Sequence, residues 1–125
     1  MRTLLTVTAV LEAAAGLGIV VLPSVAASLL LGSSFDTVGA LVVARVAGVA
    51  LLALGVACWL ARHDEGTRAV RGLVGAMALY NVGVLALFVH AALVWEASAI
   101  ALWPVVVGHA VMGFWCIISL SARHS

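Results

Sequence analysis

Residues 37–61, TVGALVVARVAGVALLALGVACWLA, run for twenty-five positions with a single charge, Arg45. A run of that length is long enough to cross a bilayer as a helix. An arginine near the centre of such a span costs roughly 2.5–3.5 kcal/mol on insertion scales, so it has to face protein or water and find a partner. Where that partner lies decides how the rest of the chain is arranged.

The surrounding composition is of the same kind. Hydrophobic residues make up 66% and charged residues 9% of the chain, against about a half and about a quarter in soluble domains. The 125 residues accommodate four spans of about 20 residues with short connections. The expected fold is therefore an all-α membrane protein: one domain over residues 1–125, an antiparallel bundle of four transmembrane helices. No length remains for a separate soluble catalytic domain.

The first span is expected over residues 3–22 and ends at Pro23, which lacks an amide proton and suits the first turn of a new helix. The stretch PSVAASLLLG then reads as a short interfacial helix closing at Gly32. Arg2 followed by an apolar run resembles a signal peptide, but Glu12 falls inside that run and no polar mature region follows, so it reads as an uncleaved first span. Asp36 or Thr37 is the expected N-cap of the second span. Residues 62–68, RHDEGTR, form the only strongly charged loop; the third span is expected over residues 69–94, a tight turn over 95–98, and the fourth span over 99–120. Arg2, Arg62, Arg68, Arg71 and Arg123 fall on one side of this arrangement, and Asp36 and Glu96 on the other. The positive-inside rule then puts both termini in the cytoplasm, in the setting of a bacterial inner membrane. Cys58 and Cys116 are expected near that face as reduced, packed thiols.

Small residues recur at helical spacing at Ala40, Ala44 and Gly48, at Gly72 and Gly75, and at Gly108 and Gly113. They imply close helix approach and a compact bundle. At a rise of about 1.5 Å per residue from the outer end, Glu12 and His109 lie about 15 Å deep, Arg45 about 12 Å and Asn81 about 20 Å. These four residues are the candidate site. Glu12 is the only carboxylate within a span, so Arg45 is expected to pair with it, with His109 and Asn81 completing a polar layer near the midplane.

Such a layer either fixes helix register alone or binds a small polar or anionic group, or a proton passing between Glu12 and His109. The leading functional expectation is a small integral membrane protein of accessory or interaction type whose polar layer binds such a group. The alternative is a dimeric transporter or channel that uses the layer for proton or substrate coupling. A membrane enzyme or redox subunit is the least supported, because no nucleophile–base pair or cofactor motif is present. No cofactor is expected: His90 and His109 differ by roughly 9 Å in depth, awkward for axial ligands of one haem, and no Cys/His cluster has metal-ligand spacing. The expected partners are the lipid bilayer and a second copy or a larger membrane complex; of the six arginines only Arg62, Arg68 and Arg71 cluster, which gives a nucleic-acid footprint no support.

Overall fold

The computed structural model describes residues 1–64 and 66–122. Glu65, in the charged loop, and Arg123 and His124, at the end of the expected topology, lie outside the described residues. The order is α1 (Arg2–Val21), α2 (Pro23–Leu31), α3 (Val38–Ala61), α4 (Arg68–Val94) and α5 (Leu102–Ser121), with no strand among the described residues. All but α2 are long and apolar enough to cross a membrane.

Local chemistry sets the boundaries. Leu22 leaves helical geometry at φ −128° and ψ 58°, and Pro23 opens α2 at its first position. Gly32 stops α2 with φ 74°, a left-handed conformation that glycine adopts without strain, and its amide donates to the Ser28 carbonyl. Thr37 is the N-cap of α3, its hydroxyl accepting from the Ala40 amide at 3.2 Å, while Asp36 accepts from the Ser34 hydroxyl at 3.0 Å. Thr67 caps α4 in the same way, through the Val70 amide at 3.2 Å.

The fourth long helix departs from expectation. It begins at Leu102, with Pro104 in its first turn, and the connection before it is longer than a tight turn. Glu96 turns this connection with φ 53°. The Ala101 amide, just before this helix, donates to the Leu29 carbonyl of α2 at 2.9 Å and ties the connection to that helix.

Helices α1 and α3 meet backbone to backbone. A Cβ on Gly16 would sit 2.6 Å from the Gly48 carbonyl oxygen, one on Gly48 would sit 2.8 Å from the Gly16 oxygen, and one on Gly55 would lie 3.0 Å from Ala9 and Ala13 backbone atoms. Early residues of α1 thus face late residues of α3. Gly55, seven residues after Gly48, adds a contact on the same face beyond the small residues at 40, 44 and 48. Gly72, Gly75 and Gly108 were expected to mediate close approach and do not: a Cβ on any of them meets nothing within 4 Å. Gly113 makes an ordinary contact, its Cβ position 3.4 Å from that of Asn81.

Helices α4 and α5 form a second closely packed pair. The two pairs join at the end that carries Met1 and the charged loop. Leu4 and Leu5 of α1, Cys58 of α3, Val74 and Met77 of α4, and Cys116 of α5 close there into one core. Both cysteines are free and buried in it. At the other end α2 touches α1, α3 and α5. Below α2 and above the core, space remains between the pairs.

Candidate functional site

Arg45 has a partner, but it is not Glu12. Its Nε donates to the Val20 carbonyl at 3.2 Å. In an uninterrupted helix that carbonyl would accept the amide of Ser24; the break at Leu22 and Pro23 leaves it among the orphan acceptors of a helix end. The guanidinium therefore caps α1 at the negative end of its dipole. Its remaining surface is exposed on the outer side of α3, in a shallow depression shared with Val42, Val46 and Val49.

The expected pairing fails because the end of α1 and the start of α3 do not lie at a common level. Arg45 lies only seven residues into α3 from Val38, yet it reaches the last turn of α1, so the start of α3 projects about 10 Å beyond the end of α1. Glu12 lies eight residues before Val20, about 12 Å further along α1. Arg45 thus leaves the expected polar layer.

The other three candidates share one space. Glu12, Asn81 and His109 line a cavity of about 860 Å³ between the helix pairs, to which all five helices contribute. Its wall extends along α1 from Thr8 to Ile19, about 16 Å at the helical rise. Polarity is concentrated at the end near the core, where Thr8, Glu12, Tyr80, Asn81 and His109 gather. Toward α2 the wall is apolar, with Ile19, Leu30, Phe88 and Val105 among its residues.

Two of the polar groups are fixed by a chain of hydrogen bonds. Asn81, 2% exposed, donates from Nδ2 to the Met77 carbonyl at 2.8 Å, which turns its Oδ1 to the His109 Nδ1, 2.9 Å away. Since Oδ1 only accepts, Nδ1 carries the ring proton and Nε2 of the neutral imidazole presents a lone pair. The Tyr80 ring packs edge-on against that imidazole with centroids 5.7 Å apart. Tyr80 directly precedes Asn81 in α4, and that place in the sequence puts it at the same depth.

Glu12 is different. It is 7% exposed, and its carboxylate takes no hydrogen bond or ion pair among the described residues. No side-chain nitrogen or oxygen of those residues is both sealed and unbonded, so the Glu12 oxygens open into the cavity. Among the described residues no three His, Cys, Asp or Glu side chains converge in metal-binding fashion. His90 stands apart from the cavity, exposed and edge-on to Trp95 at 5.0 Å.

The chain matches no family model, no curated protein and no solved structure. The geometry of the cavity therefore carries the functional reading.

Proposed function

We propose that this is an integral membrane protein that holds a compact, mostly apolar molecule between its helices, the molecule's one polar end turned to Glu12, Asn81 and His109. The observation that carries this reading is the unbonded Glu12 carboxylate opening into an amphipathic cavity. The volume of about 860 Å³ falls within the roughly 300–1,000 Å³ typical of small-molecule sites. A carboxylate kept in such a place without a protein partner is costly, and residues of that kind inside spans mark functional sites. With Arg45 on the outer face of α3, the cavity wall carries no arginine or lysine among the described residues, so an anionic ligand loses its anchor.

The site is proposed to lie within an antiparallel four-helix transmembrane bundle, with α2 resting at the membrane interface above the cavity. Arg2, Arg62, Arg68 and Arg71 gather near the core end, which the positive-inside rule assigns to the cytoplasm of a bacterial inner membrane. Leu11 lines the cavity and is 52% exposed, so this flank offers an apolar molecule a lateral way in from the lipid. The core of Leu4, Leu5, Cys58 and Cys116 closes the far end, which favours a holding site over a transmembrane pathway.

Gly108 supplies the test. It lines the cavity, and a Cβ there meets nothing within 4 Å, so leucine can fill the space without displacing backbone. The protein in lipid nanodiscs is expected to bind the neutral solvatochromic dye Nile red saturably, and Gly108→Leu to weaken that binding about tenfold or more while the fold survives. Undiminished binding by the folded Gly108→Leu protein would refute the cavity as the site.

A further inference from the structure

Resting on the reading of this cavity as a ligand site, we infer that the molecule it selects carries a protonated primary or secondary amine, whose N–H groups are donated to the Glu12 carboxylate and to Nε2 of His109. Among the described residues the polar end of the cavity holds no cation; beyond the bonds already made, its donors are the neutral hydroxyls of Thr8 and Tyr80 and the second N–H of Asn81. Asn81 spends its Oδ1 on the His109 Nδ1 proton and one N–H on the Met77 carbonyl. That leaves the imidazole presenting an acceptor, and an ionised Glu12 accepts only. Among the described residues no lysine or arginine lines the space, and Arg45 is engaged with Val20 at the end of α1.

A head group between the Glu12 carboxylate and the imidazole acceptor bonds both only if it brings two donors, and beside a carboxylate that no cation of the cavity wall neutralises it has to bring a positive charge. A primary or secondary ammonium brings both. An alcohol brings one donor and no charge, a quaternary ammonium brings charge and no donor, and a phosphate or carboxylate would place a second negative charge beside Glu12. The apolar wall toward α2, with Ile19, Leu30 and Phe88, receives the hydrocarbon body. The ammonium then lies deepest and the body extends toward the α2 end.

Three probes with a common chain separate these cases: decylamine, decanol and decyltrimethylammonium, titrated calorimetrically into the protein in phosphatidylcholine nanodiscs, with empty nanodiscs subtracted. Decylamine is expected to bind at least about tenfold more tightly than either of the others, the fold-change supplied by one charge-assisted hydrogen bond. Glu12→Gln is expected to bring decylamine to the level of decanol and to leave decanol unchanged. The ranking of the three probes on the wild-type protein carries the test independently of whether that variant folds. If the probes bind alike and Gly108→Leu removes all of them, the ammonium inference is overturned and the cavity reading stands. If folded Gly108→Leu removes none of them, the cavity reading falls as well.

Discussion

Glu12→Leu is expected to make the folded protein more stable, by about 1–3 kcal/mol, and to abolish ligand binding in the same step. An unbonded buried polar group costs about that much relative to an apolar one, and more when it is charged. Glu12 takes no bond among the described residues and adjoins an apolar wall, so leucine removes a cost and fills space. A carboxylate that served only to fix helix register would behave in the opposite way, because its loss would strand a partner. Reversible unfolding in mixed micelles reads the difference; a loss of stability greater than about 1 kcal/mol would show that Glu12 holds the fold together. The same measurement on Arg45→Met and on the double variant should give additive effects within about 0.5 kcal/mol, as for residues that share no contact. A Glu12–Arg45 ion pair would instead appear as a large coupling energy.

The second large effect lies at the α1–α3 contact. Gly48→Leu places a branched side chain where a Cβ alone already sits 2.8 Å from the Gly16 carbonyl oxygen and 3.0 Å from the Val20 amide nitrogen. Both are backbone atoms and cannot rotate aside. Overpacking of this kind costs about 1–3 kcal/mol and occasionally more, and helices that associate in lipid depend on close packing, because apolar burial gives them little further gain. The variant is expected at or beyond the upper end of that range, or absent from the folded fraction on size-exclusion chromatography. Gly72→Leu is the matched control: its Cβ meets nothing, and helix propensity favours leucine by up to about 1 kcal/mol. Equal stability of the two variants would mean that α1 and α3 do not meet at Gly48.

What the sequence made legible, and what it hid, follows from which reference points were physical. Pro23 marked a true break because a missing amide and a fixed φ act locally, and Thr37 marked a helix start through an equally local side-chain bond. Asn81 and His109 could be placed within about one turn of each other in depth, near enough to expect their contact, because α4 and α5 are consecutive helices with only residues 95–101 between them. Arg45 and Glu12 could not. Between α1 and α3 the chain runs through α2 and the segment after Gly32, and this length lets α3 begin well above the end of α1. Counting depth from helix ends assumes a common plane, and here none exists.

The glycines carry the same lesson. Gly48 and Gly108 look alike in sequence, each on a face of small residues, yet one presses against backbone and the other borders a cavity. A missing side chain reports room for something, and only the fold decides whether a helix or a ligand takes it. The start of α5 was hidden for a related reason. Residues 99–101 continue the apolar pattern, but the Ala101 amide is claimed by the Leu29 carbonyl, a long-range bond that no local propensity encodes.

The most direct measurement of the central claim is native mass spectrometry of the protein released from the membrane in which it was expressed, compared with a Gly18→Leu/Gly108→Leu variant. Both glycines line the cavity, and a Cβ on either meets nothing within 4 Å, so the variant keeps the helix contacts while the space is filled. The wild-type protein is expected to carry a small organic molecule of amine character in one-to-one ratio, and the folded variant to be free of it. A wild-type protein free of any such molecule, or a variant that carries it equally, would contradict the account.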